Sequence, residues 1–130
     1  MFRKMWIGVR RAARSSGDVA AYCPEAGDII WLDLMQQAGN EQAGRRPALV
    51  LSPRAFNLLT GRCIACPITR RDRDWSFQVV IPDGHRVTGV VQSDQLRSAS
   101  WELRGSRFLC SAPPGVVSEV NAKIKALLSL

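Results

Sequence analysis

Cys63 and Cys66 carry the C-x-x-C spacing that zinc sites and redox pairs share. A closed zinc site needs about four ligands, and the remaining candidates, Cys23, Cys110 and His85, are scattered singly. The pair sits in Arg62-Cys63-Ile64-Ala65-Cys66-Pro67, which reads as a buried strand. Residues three apart on a strand point to opposite faces, so the two thiols cannot meet one ion. They are read as buried structural cysteines, and no metal or cofactor is expected. His85 is the sole histidine and falls in a Pro-Asp-Gly-His turn, where a solvated loop residue is the plain reading. A pair of histidines sharing acid and base roles within one subunit is therefore excluded. Arg70, Arg71, Arg73 and Trp75 form a basic loop with an aromatic. That mixture suits phosphate charge and base stacking, and equally a solvated hairpin tip.

The charge balance bears on that choice. The net charge is +7. Residues 1–20 hold Arg3, Lys4, Arg10, Arg11 and Arg14 against Asp18, so more than half of the excess lies there. Beyond residue 20 the positive charge is almost all arginine, the better residue for planar, bidentate phosphate contacts. A polyanionic partner fits this balance, as does a simply soluble protein.

Length and hydropathy constrain what must position these groups. A chain of 130 residues, 46% hydrophobic, is one domain with a single core. No apolar run approaches the roughly 18 residues of a membrane span, and no segment recurs at a fixed period. Residues 1–21 read as a basic arm, poorly ordered or helical, lacking the apolar run of a secretory signal. A reducing, cytoplasmic setting is the default expectation. The domain proper is expected over 22–130.

Within it, Gly27–Asp33 reads as a first strand, rich in β-branched and aromatic residues. A polar loop over Met35–Arg45 follows, then a second strand over Arg46–Ser52 with Pro47 near its start. Arg54–Gly61 reads as a turn or a short helical one. Further strands are expected at Cys63–Ile68, Phe77–Ile81, Thr88–Gln92 and Ser106–Cys110. Closely spaced short strands joined by Gly/Pro turns predict a mainly β fold, a small barrel or sandwich. After Pro113-Pro114-Gly115, the residues Val117, Val120, Ile124, Leu127 and Leu128 predict an amphipathic C-terminal helix packed on it.

Three stretches together carry a family resemblance: Gly27-Asp28-Ile29-Ile30-Trp31-Leu32-Asp33, Glu41-Gln42-Ala43-Gly44-Arg45-Arg46-Pro47-Ala48-Leu49-Val50-Leu51-Ser52-Pro53, and Ser93-Asp94-Gln95-Leu96-Arg97-Ser98. The chain resembles the MazF/PemK-type toxins, the mRNA interferases of bacterial type II toxin–antitoxin modules. The likeness runs from about Tyr22 to Leu128 and includes Phe56-Asn57 and Cys66-Pro67-Ile68-Thr69. It implies an SH3-like β-barrel of the CcdB/PemK kind with a C-terminal helix. It also implies a homodimer that cuts single-stranded RNA at short sequences without a metal. The implied partner is an antitoxin whose disordered segment blocks the RNA groove.

The resemblance also assigns roles. Metal-free cleavage uses the 2′-hydroxyl as nucleophile and needs a base, positive charge at the phosphorane and a proton for the 5′-oxygen. Glu41 matches the family's loop glutamate and is expected as general base. Arg46 matches the arginine before the strand proline and is expected to stabilise the phosphorane, since a guanidinium is too weak an acid to donate efficiently at neutral pH. Thr69 matches the family's threonine and is expected to donate to a phosphate oxygen. Asp94 and Gln95 match the D-Q pair, as catalytic or RNA-contacting residues. In some relatives an arginine two positions earlier partners that aspartate; here Gln92 stands there, which favours a non-catalytic Asp94. Arg45, Arg70, Arg71, Arg73 and Trp75 are the expected RNA-binding set.

Two other readings compete. The same fold serves CcdB-type toxins, which trap DNA gyrase and rely on a C-terminal tryptophan–glycine–isoleucine ending. This chain ends Leu127-Leu128-Ser129-Leu130, which argues against that class. The other is a catalytically silent SH3-like module that binds RNA or protein.

Overall fold

The computed structural model describes residues 22–33, 45–102 and 105–130. The basic arm and the loop that carries Glu41 lie outside the described residues.

Strand β1 (Asp28–Asp33) pairs antiparallel with β2 (Arg45–Val50), which pairs with β3 (Arg62–Thr69). Strand β4 (Gln78–Ile81) forms a hairpin with β5 (Gly89–Gln92) across the expected Pro-Asp-Gly-His turn. Strand β5 joins the far end of β3, while β6 (Arg97–Ser100) pairs with its first half. Strand β7 (Arg107–Ser111) closes the far side against β1, giving the order β4-β5-β3-β2-β1-β7 with β6 beside β3. The sheet curls into a half-barrel, so the mainly β expectation holds.

Strand alternation gives this sheet two apolar faces. On one, Ile29, Leu49, Cys66 and Ile68 pack with Val79 and Val91 beneath the C-terminal helix α2 (Pro114–Leu128). On the other, Ile30, Leu32, Ala48, Val50, Cys63, Ala65 and Trp101 form a second cluster. Helix α2 buries Val116, Val120 and Ile124, an i, i+4, i+8 stripe. This corrects the expected face: Val117 is half-buried, and Leu127 and Leu128 in the last turn are exposed.

Residues Arg54–Thr60, expected as a turn or a short helical one, form helix α1, ended by Gly61 in the left-handed region at φ +73°. Its fully buried Asn57 is a polar hub. The side-chain amide donates to Pro24 O at 2.9 Å and Ser52 O at 3.0 Å. Ser52 Oγ donates to Asn57 Oδ1 at 2.6 Å, and the Trp101 indole N–H to Asn57 O at 2.9 Å. Those bonds offset the cost of burying an amide in an apolar cluster.

Candidate functional site

Helix α2 covers only one end of its apolar face. Farther along the same alternation, Ile29 gives way to Trp31 on β1 and Leu49 to Pro47 on β2. There the face stays open and forms a cavity of about 780 Å³. Its walls carry Trp31, Pro47, Ile68, Val87 and Leu109 as apolar floor, Thr69 and Thr88 as hydroxyls, and six arginines: Arg45, Arg46, Arg70, Arg71, Arg86 and Arg107. Among the described lining residues there is no carboxylate. Six like charges around one hollow repel each other, and a bound polyanion relieves that repulsion.

The elements explain how each group arrives. Pro47 pairs with Trp31, and Arg46 with Leu32, so Arg45 and Arg46 stand at the start of a strand already anchored in the sheet and alternate between its faces at the rim of the cavity. Arg45 donates to Gly105 O at 2.7 Å. Gly105 sits at φ +63°, in the left-handed region, and the guanidinium lies 3.6 Å from where its Cβ would be. Thr69 ends β3, and its hydroxyl oxygen accepts from the Arg71 N–H at 3.2 Å. The threonine, which lines the cavity, keeps its own O–H to donate. A β-bulge in the β1–β7 ladder, where Ile29 faces Cys110 and Ile30 faces Phe108, leaves Leu109 extra in β7. Arg107 pairs with Trp31 beyond it. Bulges re-aim side chains in this way next to sites.

The expected site residues divide on this geometry. Arg45, Arg46, Thr69, Arg70 and Arg71 come together around the cavity. Glu41 lies outside the described residues. Arg73 and Trp75 sit on the exposed loop beyond β3 and do not line the cavity. That loop is braced by Gln78, which accepts from the Arg73 N–H at 2.9 Å and donates to Arg71 O at 3.1 Å. The Trp75 indole N–H donates to Asp94 Oδ2 at 3.4 Å, and its ring lies 5.8 Å from that of Phe77. Asp94 and the exposed Gln95 occupy a single 3-10 turn, Ser93–Gln95, also off the cavity. Sequence reasoning missed Trp31, Arg86 and Arg107 as lining residues. Strand alternation carried a signal for Trp31, two residues beyond Ile29, but none for the two arginines, which the curl of the sheet brings in from distant segments.

Cys63 and Cys66 fall in different clusters on opposite faces of the sheet, as strand alternation requires. Among the described residues no three His, Cys, Asp or Glu side chains lie together as a metal site would need. Burial pushes both thiols up to about 12. The folded chain then holds these protons more tightly than the unfolded chain. The resulting stability is complete below the unfolded thiol pKa of about 8.5 and drains as pH rises toward 12. The urea midpoint is expected to fall from about pH 9 upward, and to fall less steeply in Cys66→Ala. A midpoint flat through that range overturns the assignment.

Comparison with known proteins adds an independent line. Residues 25–128 match the family model described as the PemK-like, MazF-like toxin of type II toxin–antitoxin systems. The chain is 39% identical over 110 residues to the endoribonuclease toxin MazF of Escherichia coli strain K12, covering 85% of this chain and 98% of that one. It is similar to the crystal structure of MazF from Deinococcus radiodurans, with TM-score 0.79 and 47% identity, covering 84% of this chain and 99% of that one. A MazE–MazF complex from the same organism matches with TM-score 0.77 and 47% identity, covering 84% and 98%.

Proposed function

We propose how this chain acts from a plain premise: it belongs to the PemK-like, MazF-like toxin family of type II toxin–antitoxin systems. It is an endoribonuclease toxin of such a module, with a cognate antitoxin as partner. The finer reading is a metal-independent, sequence-specific cut in single-stranded RNA, in the cytoplasm where mRNA is translated.

One observation carries that reading: a cavity lined by six arginines, with Thr69 and Trp31 on the same walls. The strand lies with a phosphate over Arg46 and Thr69. Glu41 takes the proton from the 2′-hydroxyl, which attacks the adjacent phosphorus. Arg46 offers two parallel N–H donors to the non-bridging oxygens as negative charge builds, and the Thr69 hydroxyl adds a third. The 5′-oxygen leaves and takes a proton from solvent, giving a 2′,3′-cyclic phosphate and a 5′-hydroxyl. Trp31 presents a face on which a base can stack. Trp75, held by Asp94, offers a second such platform outside the cavity.

A hollow of about 780 Å³ is of the size that encloses one small ligand. A recognition sequence of several nucleotides needs a longer groove, which supports a homodimer in which two copies share it. The antitoxin's acidic or disordered segment would compete for the same arginines.

Incubation with a long single-stranded RNA in EDTA, followed by end mapping, tests the chemistry. Cleavage is expected to persist and the downstream fragments to carry 5′-hydroxyl ends. Loss of cleavage in EDTA with recovery in Mg²⁺ overturns the metal-free reading.

A further inference from the structure

Three of the cavity's arginines converge on residues 105–109, the segment that leads into and forms β7. Strand β7 is an edge of the sheet, paired only with β1 on the main path. Arg45 reaches from the start of β2 to Gly105 O at 2.7 Å, and Arg86 from the β4–β5 hairpin to Leu109 O at 3.0 Å. Arg107 lies between those two carbonyls and faces the same cavity. Residues two apart along an extended chain are separated by no more than about 7 Å, so Gly105 and Leu109, which hold two of the side chains, and Arg107, from which the third starts, follow one another within that spacing. This spacing is comparable with that of neighbouring phosphates along an extended single strand.

Each pinned guanidinium gives one donor nitrogen to a carbonyl and keeps the others for a ligand. Among the described residues none of the three has a carboxylate partner. Two of them are thus held in place with their charge unspent, before any ligand arrives. Such fixed donors lose little freedom on binding.

We propose that Arg45, Arg107 and Arg86 form a ladder that holds successive phosphates of the substrate and so sets the path along which the RNA leaves Arg46 and Thr69. This rests on the endoribonuclease reading for the identity of the strand. The contacts are to phosphate and ignore the 2′-hydroxyl, so a strand with a single 2′-deoxy at the cut nucleotide binds as well as RNA while resisting cleavage.

The test measures equilibrium binding of the full chain to that uncleavable strand across a salt series. Arg86→Gln and Arg107→Gln are each expected to weaken binding roughly three- to tenfold and to reduce the log–log salt slope by about 0.7. Arg107→Lys keeps most of the slope. Arg97→Gln, an exposed arginine on β6 outside the cavity, leaves both unchanged. Single methylphosphonate replacements then locate the contacts. Neutralising one phosphate should cost nothing further in the Arg107 variant, and neutralising its neighbour nothing further in the Arg86 variant. Unchanged salt slopes, or a methylphosphonate effect spread evenly over all positions, overturn the ladder. A wild-type chain that binds but never cuts overturns the reaction reading instead, and the binding series still judges the ladder.

Discussion

Arg46→Lys lowers the single-turnover rate of RNA cleavage by about 10²-fold or more while RNA affinity changes only severalfold. The argument turns on shape. Lysine keeps the charge but offers a point-like ammonium in place of a planar fork. A phosphorane in flight presents two non-bridging oxygens, and only the fork meets both at once. Arg46 is half-buried at the start of β2, paired with Leu32, and lines the cavity, so its backbone is fixed by the sheet. If the residue merely supplied positive potential, five other arginines around the cavity would mask its loss. Lysine would then be nearly as good, and the change would appear in affinity. Glu41→Gln supplies the companion measurement. It keeps the size and removes the base, so the rate should fall and the acidic limb of the pH–rate profile should flatten. Single-turnover rates at saturating RNA from about pH 5 to 9 decide both points. Near wild-type rates in both variants would move the chemistry elsewhere, with Asp94 next in line.

The candidate site is legible in the sequence because its members lie in local, ordered blocks. Arg45, Arg46 and Pro47 start a strand whose apolar run announces itself, and Thr69 ends another with Arg70 directly after it. Strand periodicity likewise placed β1 to β5 and β7 within a residue or two. Strand β6 escaped, since Arg-Ser-Ala-Ser has no β-branched or aromatic residue to mark it. It forms because the first half of β3 leaves an edge unpaired, a tertiary demand that overrides local propensity. The helix stripe was displaced for a related reason. Val116 and Val117 are equivalent by composition, and only docking on the sheet decides that Val116 faces inward. Arg86 and Arg107 were invisible as site residues because one sits on a hairpin tip and the other on an edge strand. Their meeting depends on the curl of the sheet and on a bulge, neither of which leaves a mark in the sequence.

Gly89→Ala is expected to damage both the fold and the reaction, by way of Thr69. Gly89 adopts φ +126°, a backbone region that residues with a Cβ rarely enter. A Cβ built there would lie 2.4 Å from Thr69 O and 3.1 Å from Thr69 C. Both are backbone atoms at the end of β3, fixed by the Thr69–Val90 pairing, so no flexible side chain can yield. The strained φ contributes about 1–3 kcal/mol and the forced contact a similar amount. A total of roughly 2–6 kcal/mol is a large share of the stability of a domain this size. Where the variant still folds, β5 and the end of β3 must separate, which moves the Thr69 hydroxyl away from the arginines that share its cavity. Small misplacements of a positioned donor cost about 10²-fold in rate. The two effects are separated by measuring the urea midpoint and, well below it, the single-turnover cleavage rate. A loss of stability with an unchanged rate would mean that Thr69 takes no part in the chemistry. A variant as stable and as active as wild type would show that β5 and the end of β3 accommodate a methyl group without cost. Gly84 provides the control, since it too has a positive φ, at +95°, but nothing lies within 4 Å of its Cβ position. Gly84→Ala should therefore show the backbone cost alone, leaving the rate of cleavage untouched.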